Sequence, residues 1–410
     1  MTDNRVFVIV GASLAGAKAA ETLRESGFEG QVVLIGAEND RPYERPPLSK
    51  EYLLGKKPVE KAFVHGENFY AEKNIELRLG TRVTAVDRDA RDVVLDGGDR
   101  LHFDRLLLTT GSSAVRLKLP GADLAGIYYL RTMEESTNLK KALAEGGQLV
   151  VVGGGWIGLE VAAAARHYGA SVVLIEPQPT PLYAVLGQEL GEFYAQVHRD
   201  QGVDVRLGIG VTEFKGDGAS VHAVVASDSS EIPADVVVVG VGIRPNVELA
   251  ADAGLLVDDG IVVDEYLRTT DPDIFAAGDV ANAHNPHYGR HLRVQHWANA
   301  NDQGPAVAKS MLDRDEPFTK VPYFFSDQYD VGMEYSGMHG PGAYDDVVYR
   351  GDPANREFCV FWLSEGVVIA GMNVNVWDVH SDIRALIKSR AQVDRAKLAD
   401  PAVALTEVAP

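Results

Sequence analysis

The sequence contains little cysteine, few basic residues and no long apolar segment. Its only cysteine, Cys359, excludes an internal disulfide, a CxxC redox pair and a four-thiolate metal site. Basic residues number 39 against 59 acidic ones, and the net charge of −20 argues against nonspecific binding to nucleic acid or anionic membranes. The longest apolar run, 149–159, is interrupted by glycines and is too short to span a bilayer. We therefore predict a protein of a reducing cytoplasm without nucleic-acid or membrane partners.

The length and composition are those of a globular protein with more than one domain. At 410 residues, two to three domains are expected, each with its own core. Hydrophobic residues make up 46% and charged residues 24%, which excludes disordered, collagen-like and coiled-coil classes. We expect no signal peptide before the first predicted strand. Glycine is abundant, with 41 residues, and we expect this excess to lie in tight turns.

Two segments share a strand, a glycine-rich turn, a helix and a second strand that ends near an acidic residue. The first copy has the strand Val6–Val10, the turn 11–16, a helix to about Ser26, the strand Val32–Ile35 and the acid Glu38. The second has the strand Leu149–Val152, the turn 153–158, the helix Leu159–Tyr168, the strand Val172–Ile175 and the acid Glu176. The repeat predicts either two dinucleotide sites or one site and a decayed copy.

The second turn carries the full glycine pattern at Gly153, Gly155 and Gly158. The first glycine permits the tight turn, the second lets the backbone approach a pyrophosphate, and the third allows close helix–strand packing. Glu176 lies 23 residues after Gly153, where an acid accepts from the ribose 2′-hydroxyl and repels a 2′-phosphate. The sequence therefore predicts NADH rather than NADPH.

The first turn departs from the pattern, because Ser13 stands between Gly11 and Gly16. A side chain there crowds a pyrophosphate, although its hydroxyl is able to donate to it. The acid is Glu38, 27 residues after Gly11.

Other apolar runs predict further strands. In the first three-quarters of the chain these are Leu106–Leu108, Val236–Val241 and Ile274–Ala276. From about Pro322, antiparallel strands with glycine turns are expected; they are Tyr323–Phe325, Val347–Tyr349, Phe358–Leu363 and Val367–Gly371. A helix at about Ser381–Arg390 closes this region, and the last ten residues are predicted to be a loose tail.

Four further motifs occur in order. They are RPYERPPLSK at 41–50, TTGS at 109–112, GVGIRPN at 240–246 and TTDPDIFAAGD at 269–279. With the two turns, they resemble the flavin-dependent pyridine nucleotide-disulfide oxidoreductases of the glutathione-reductase type, over essentially the whole chain. RPYERPPLSK and the later FSDQ at 325–328 narrow the resemblance to the ferredoxin reductases of oxygenase and cytochrome P450 systems.

This resemblance implies an α/β fold with two doubly wound Rossmann-like domains and a small C-terminal α+β domain. It implies an FAD domain at 1–112 and 244–320, an NAD domain at 113–243 and an interface domain at 321–410. The implied activity is NADH-dependent ferredoxin reduction. FAD accepts hydride from NADH and passes electrons singly to a [2Fe–2S] ferredoxin that feeds a cytochrome P450 or a Rieske-type oxygenase. We expect a monomer or weak homodimer.

The resemblance also implies site residues. Those assigned to FAD are Gly11, Ser13, Ala15, Gly16, Glu38, Arg45, Lys50, Val83, Thr110, Gly111, Arg131, Gly278, Asp279, Val280, His296, Trp297, Ala298 and Phe325. Those assigned to NAD are Gly153, Gly155, Trp156, Ile157, Gly158, Glu160, Glu176 and Gly242. Lys50 and Glu160 are predicted to pair as catalytic residues, the alternative being a surface ion pair. Asp279 is expected to accept from the ribityl hydroxyls of FAD, to cap a helix, or both.

The remaining candidates have competing interpretations. Trp297 and Phe325 are either flavin contacts or core aromatics. No metal site is predicted, because the spacing of the histidines at 284, 287, 291 and 296 fits no familiar ligand frame. Arg290 and Arg293 either form a basic rim that docks an acidic redox protein or are ordinary solvated residues.

The position of Cys359 constrains the mechanism. It lies in a Phe-rich predicted strand, where a small buried hydrophobic role is expected. Without a redox thiol, electrons must leave directly from the flavin. Two alternative functions remain: an NADH oxidase or diaphorase that reduces oxygen or quinones, and an apoptosis-inducing-factor-like protein whose redox state governs partner binding.

Overall fold

The computed structural model describes residues 3–340 and 342–409, and its contacts divide the chain into two compact units. The first unit comprises the chain up to Glu44, Val59–Ser113 and Arg244–Pro322. The second comprises Arg45–Pro58, Ala114–Ile243 and the chain from Tyr323 onwards. The predicted domain ranges begin at 1 and end at 410, and residues 1, 2, 341 and 410 lie outside the described residues. The assignment of an FAD, an NAD and an interface domain remains a prediction.

The first unit is built on a five-stranded parallel sheet. Its strands lie in the order Ile274–Ala276, Arg105–Leu108, Val6–Val10, Gln31–Ile35 and Ile75–Arg78. The first four segments are mostly apolar and buried, as expected for strands covered on both faces, whereas only Ile75 is buried in the edge strand Ile75–Arg78. The helix Leu14–Glu25 packs closely on the helix Trp297–Ser310, since a Cβ at Gly304 would lie 2.7 Å from the Ala15 carbonyl oxygen.

Smaller elements complete the first unit. One antiparallel sheet has the strands Val83–Asp87, Asp92–Leu95 and Arg100–His102. A second three-stranded sheet has Ile261–Val263, Ala281–Asn285 and Arg290–Arg293. The short helices are Val59–Ala62, Phe69–Glu72, Glu248–Asp252 and Gly278–Val280.

The second unit contains a parallel sheet and an antiparallel sheet of five strands each. The parallel order is Asp204–Leu207, Ser171–Glu176, Gln148–Val152, Val236–Val239 and Ile127–Tyr128. The antiparallel order is Tyr323–Gln328, Val331–Gly337, Val367–Val374, Glu357–Ser364 and Asp346–Asp352. A three-stranded sheet adds Val211–Gly216, Val221–Ala226 and Glu231–Pro233. Two parallel sheets and a C-terminal antiparallel one agree with the predicted fold class.

Helices complete the second unit. They are Pro46–Leu48, Met133–Ala144, Trp156–His167, Tyr183–Asp200, Pro353–Asn355, His380–Ser389, Arg395–Ala399 and Leu405–Glu407. The helix Met133–Ala144 begins with a capping box, in which Thr132 and Glu135 satisfy each other's backbone N–H groups. Two short strands, Ser112–Ala114 and Ile243–Pro245, lie where the chain passes from one unit to the other.

The structure corrects several sequence predictions. The helix after the second turn begins at Trp156, not Leu159, because Gly155 is already its N-cap. The strand predicted at Val236–Val241 ends at Val239. The strand Val331–Gly337 was not predicted. Asp279 does not cap a helix, since it lies inside Gly278–Val280 with Ala277 at the N-cap.

The predicted loose tail is also wrong for the residues that the structure describes. Leu405 and Val408 are buried, and the backbone N–H of Asp394 donates to the Val408 carbonyl at 2.8 Å. The buried side chains of Leu405 and Val408 hold this segment against the rest of the second unit. Its alanine- and proline-rich composition does not predict this packing. Pro410, the last residue of the predicted tail, lies outside the described residues. No helix of the described chain is both long and apolar enough to cross a membrane.

The prediction for Cys359 is confirmed. Its side chain is 2% exposed on the strand Glu357–Ser364. Burial raises the pKa of its thiol to about 11, so the group is neutral at physiological pH. It acts as a small core side chain beside Phe358 and Val360, which are also buried.

Candidate functional site

The second glycine-rich turn follows the strand Gln148–Val152 of the second unit. Gly153 has a φ of +105°, and a Cβ on it would lie 2.4 Å from the Gly240 carbonyl oxygen. A Cβ on Gly158 would lie 2.1 Å from the carbonyl oxygen of Gly153. At Gly155 the nearest atom to an added Cβ is the Gly240 oxygen, at 3.9 Å. Packing thus requires the first and third glycines, whereas the middle one borders open space.

That open space lies at the start of the helix Trp156–His167. Gly155 is the N-cap of this helix and has no side chain with which to cap it. The first N–H groups of a helix lack intrahelical acceptors and carry partial positive charge. A turn with room at its middle position and a helix N-terminus fits a pyrophosphate.

Glu176 is held at this turn by two backbone donors. Its Oε2 accepts from the N–H of Gly154 at 2.6 Å, and its Oε1 accepts from the N–H of Gln178 at 2.8 Å. The side chain is 8% exposed. An ionised carboxylate has about four acceptor positions, so capacity for a hydroxyl donor remains.

The first unit has an equivalent turn with different chemistry at its centre. A Cβ on Gly11 would lie 2.1 Å from the Thr109 carbonyl oxygen, and one on Gly16 would lie 2.2 Å from the Gly11 oxygen. Ser13 is the N-cap of the helix Leu14–Glu25, but its side chain makes no capping hydrogen bond in the described chain. Its hydroxyl is therefore not committed to the helix, which fits a donor to phosphate. Glu38 accepts a short hydrogen bond from the Tyr43 hydroxyl.

Two of the predicted motifs of the first unit are bonded to each other. The Thr110 hydroxyl donates to the Asn246 carbonyl at 2.7 Å, and the Asn246 amide donates to the Thr110 carbonyl at 2.8 Å. This exchange holds the TTGS segment, where Gly111 has a φ of +66°. Sequence reasoning missed Asn246, although it belongs to the GVGIRPN motif.

Asp279 and His296 form the other predicted group of the first unit. The Ser112 hydroxyl donates to Asp279 Oδ2 at 2.8 Å. His296 is the N-cap of the helix Trp297–Ser310, and burial lowers its pKa to about 4. It is therefore a neutral imidazole near pH 7. The Gly278 N–H donates to Gln303 Oε1 at 2.8 Å, which fixes the turn that carries Asp279.

A buried ion pair lies in the second unit. Lys50 Nζ is 2.7 Å from Glu160 Oε1, so the predicted contact is confirmed. The two side chains are 9% and 2% exposed, which contradicts the surface-pair alternative. Ser49 Oγ donates to Glu160 Oε2 at 2.5 Å and Ser326 Oγ donates to Oε1 at 2.7 Å. A buried carboxylate needs such partners, and here it has three donors.

The sequence did not predict the two serines. They are 111 and 166 residues from Glu160 along the chain, so no local pattern connects them to it. The available signal was that Ser49 precedes Lys50 in the RPYERPPLSK run and that Ser326 belongs to FSDQ.

One aromatic ring lies close to this pair, and other rings pack on Trp156. The Lys50 ammonium lies 5.4 Å from the centre of the Phe325 ring, a cation–π distance. Trp156 meets Tyr194 and Phe324 edge to face, with ring centres 5.5 and 5.2 Å apart. Trp156 is thus packed within the second unit.

The other predicted residues have varied surroundings. The Arg45 guanidinium donates to the Arg131 carbonyl oxygen, and the Arg131 N–H donates to Glu135 at 2.8 Å. Ile157 is 41% exposed, and Gly242 is exposed with a φ of +107°. In the first unit, Ala15, Val83 and Val280 are buried, and Trp297 and Ala298 are the first residues of the helix Trp297–Ser310.

The histidine and arginine candidates of the first unit show no ligand geometry. Within residues 3–340 and 342–409, no group of three or more His, Cys, Asp or Glu side chains is arranged to hold a metal ion. His284 and His291 have ring centres 5.4 Å apart. Arg293 is largely buried and pairs with Asp259 at 2.8 Å, so of the two arginines only Arg290 is exposed.

Two glycine-rich turns at the starts of helices, each on its own parallel sheet, define the class of dinucleotide-binding proteins with doubly wound domains. Residues 5–304 match the pyridine nucleotide-disulphide oxidoreductase family, and residues 323–409 match the reductase C-terminal family. The chain belongs to the pyridine nucleotide-disulphide oxidoreductase family.

The chain is similar in sequence and structure to reductases of oxygenase systems. The ferredoxin–NAD(+) reductase component of the anthranilate 1,2-dioxygenase system of Burkholderia cepacia is 41% identical, over 97% of this chain and 98% of that protein. Putidaredoxin reductase of Pseudomonas putida is 38% identical, over 100% of this chain and 97% of that protein. The reductase in a covalent putidaredoxin reductase–putidaredoxin complex has a TM-score of 0.95 and 38% identity, covering 99% of this chain and 98% of that one.

Proposed function

We propose that this chain is an NADH-dependent, FAD-containing ferredoxin reductase. The observation that carries the proposal is the state of Cys359, the only thiol of the sequence, which is buried and un-ionised. A member of this family without a redox thiol has no dithiol through which to pass electrons, so they leave from the flavin to an external acceptor. The ferredoxin reductases among its relatives support the same class of acceptor.

The first unit supplies most of the FAD residues. We assign the pyrophosphate to the turn that contains Gly11 and Ser13, and hydroxyl recognition to Glu38 and Asp279. Bound FAD would supply hydride acceptance and the release of electrons one at a time. The neutral His296 offers a hydrogen bond without adding charge. Asn246 positions Thr110 and Gly111 through its two hydrogen bonds.

The second unit supplies the NADH residues. We assign the NADH pyrophosphate to the turn at Gly155 and the adenine ribose to Glu176. A carboxylate there accepts from a 2′-hydroxyl and repels a 2′-phosphate, so NADH is preferred. Gln178 follows within two residues and gives no cation that would favour the phosphate.

Lys50 and Glu160 are the proposed catalytic residues. Lys50 provides a fixed ammonium that stabilises negative charge as hydride is transferred. Glu160 holds that ammonium at 2.7 Å while its own charge is satisfied by Ser49 and Ser326. A preorganised cation does not need to reorient during the reaction, which lowers the barrier.

We further propose that the acceptor is a [2Fe–2S] ferredoxin serving a cytochrome P450 or a Rieske-type oxygenase. The relatives named for dioxygenase and putidaredoxin systems support this. The exposed Arg290 is a candidate contact for an acidic partner. The proposal includes a cytoplasmic location and a monomeric or weakly dimeric state.

The test is NADH-driven cytochrome c reduction by the purified yellow protein, with and without a [2Fe–2S] ferredoxin. Strong dependence on the ferredoxin is expected. NADH consumption that is unaffected by every ferredoxin but depends on oxygen or quinone would instead indicate an oxidase or diaphorase. Tight, salt-sensitive DNA binding in a gel-shift assay would favour the apoptosis-inducing-factor-like alternative.

A further inference from the structure

A chain of buried polar groups extends away from Glu160 within the second unit. Ser326 Oγ donates to Glu160 Oε1 at 2.7 Å, and Gln328 Nε2 donates to Ser326 Oγ at 3.2 Å. Gln328 Oε1 lies 2.9 Å from His198 Nε2, and the Tyr329 hydroxyl lies 3.2 Å from His198 Nδ1. The first four of these residues are at most 3% exposed.

The Glu160 carboxylate, at one end of this series of hydrogen bonds, sets the direction of each bond in it. An ionised carboxylate only accepts, so the Ser326 hydroxyl hydrogen points to Glu160 and Ser326 Oγ must accept from Gln328. The Gln328 amide nitrogen therefore faces Ser326, and its oxygen faces His198. That oxygen requires a donor, so His198 Nε2 carries the hydrogen.

The other end of the chain is consistent with this direction. His198 has no exposed surface, and burial lowers its pKa to about 4, which leaves a neutral ring with one donor and one acceptor. Since Nε2 is the donor, Nδ1 accepts from the Tyr329 hydroxyl. Burial raises the pKa of Tyr329, so this hydroxyl keeps its hydrogen.

We propose that His198 is a positioning residue for Glu160. Held as the Nε2–H tautomer, it fixes the Gln328 amide, which in turn commits the Ser326 hydroxyl to Glu160 Oε1, the oxygen that also binds Lys50. The kinetic consequence of this arrangement rests on the proposed function, because Lys50 matters only if hydride is transferred beside it. The tautomer itself does not depend on that function.

This series of hydrogen bonds orients the side chains in it and does not conduct protons. Gln328 lies in its middle, and an amide neither gains nor loses a proton near pH 7. Loss of the donor at His198 would leave Gln328 Oε1 buried and unsatisfied, which is costly. The amide would then be free to rotate and offer its oxygen to Ser326, whose hydroxyl would turn away from Glu160.

The tautomer is tested on the FAD-loaded protein labelled with ¹⁵N-histidine. Long-range ¹H–¹⁵N correlation distinguishes the two ring nitrogens, and a His198→Gln variant identifies the His198 signal among the 11 histidines. We expect a neutral ring protonated at Nε2 at pH 7. A ring protonated at Nδ1, or at both nitrogens, would overturn the proposal.

Two substitutions at His198 test the kinetic consequence. His198→Leu removes the donor, whereas His198→Gln places an amide N–H near the former Nε2. By stopped-flow bleaching of the flavin absorbance, His198→Leu is expected to slow flavin reduction at saturating NADH about three- to tenfold, the effect of one buried hydrogen bond. NADH affinity should not change, and His198→Gln should restore most of the rate. Equal rates in the two variants would refute the positioning role.

A pair of serines provides the matched control and covers the case in which His198→Leu does not fold. Ser326→Ala should slow flavin reduction to a similar degree. Ser336 is equally buried on the neighbouring strand, and its hydroxyl has no hydrogen-bond partner within the described residues, so Ser336→Ala should not. Equal effects of the two substitutions would refute the proposal. A wild-type protein with the Nε2–H tautomer but no NADH-dependent flavin reduction would refute the proposed function alone.

Discussion

The Lys50–Glu160 pair allows stability and catalysis to be separated by substitution. Lys50→Met removes the ammonium but keeps most of the side-chain volume. Glu160 would then be a carboxylate with only two hydroxyl donors at 2% side-chain exposure. Removing one member of a buried pair costs about 3–5 kcal/mol, because the remaining charge is uncompensated. For a unit of this size, the melting temperature should fall by roughly 6–20 °C.

The double variant Lys50→Met/Glu160→Gln removes both charges. The glutamine oxygen can still accept from Ser326, and Ser49 has an alternative acceptor in the Pro46 carbonyl at 3.4 Å. We therefore expect the double variant to recover at least about 2 kcal/mol relative to Lys50→Met alone, as a coupling energy in a double-mutant cycle. Hydride transfer should stay slow in both variants, because neither has the cation.

Two measurements check this prediction. Circular dichroism gives the melting temperature of each FAD-loaded variant, and stopped-flow absorbance gives the rate of flavin reduction by NADH. Glu160→Gln alone completes the cycle. A Lys50→Met protein that melts within 2 °C of wild type would show that the pair does not hold the Glu160 charge. Flavin reduction at the wild-type rate in that variant would refute the catalytic role of Lys50.

Three further predictions concern groups outside this pair. Glu176→Ala should lower the ratio of kcat/KM for NADH to that for NADPH at least about tenfold, the effect of one discriminating interaction, whereas an unchanged ratio in steady-state assays would contradict the 2′-hydroxyl assignment. Cys359 should not react with iodoacetamide at pH 8 in the native protein, because its pKa of about 11 lies above that pH and its thiol is buried; mass spectrometry should detect alkylation only after unfolding. Val408→Ala should destabilise the protein by about 1.5–3 kcal/mol, measured as a lower melting temperature, while a tail that contributes nothing would give no change.

Continuous apolar runs predicted seven of the ten strands of the two parallel sheets, for a physical reason, and missed the strands Ile75–Arg78, Ile127–Tyr128 and Asp204–Leu207. Strands buried on both faces, such as Val6–Val10 and Gln148–Val152, must be continuously apolar, so their sequences alone identify them. The strand Val331–Gly337 escaped prediction because glycine, glutamate and serine interrupt its apolar residues. It lies between the strands Tyr323–Gln328 and Val367–Val374, and this position in the sheet cannot be read from its own sequence.

The limits at the site have a different origin. Lys50 and Glu160 were paired correctly through a resemblance, since they lie 110 residues apart and no local rule connects them. Ser326 and His198 were missed because their hydrogen-bond partners, Glu160 and Gln328, lie 166 and 130 residues away along the chain. The buried tail at Val408 was missed because a short alanine-rich segment has no periodicity strong enough to indicate docking.

Three of the four glycines of the second turn, Gly153, Gly155 and Gly158, are subject to two different constraints on sequence change. Gly153 and Gly158 would each bring a Cβ within about 2.5 Å of a backbone oxygen, so their replacement penalises the folded chain itself. Gly155 borders open space, and the fold alone would accept alanine there. Selection for a folded, soluble protein would therefore retain Gly153 and Gly158, and under the proposed function only selection for NADH turnover would retain Gly155.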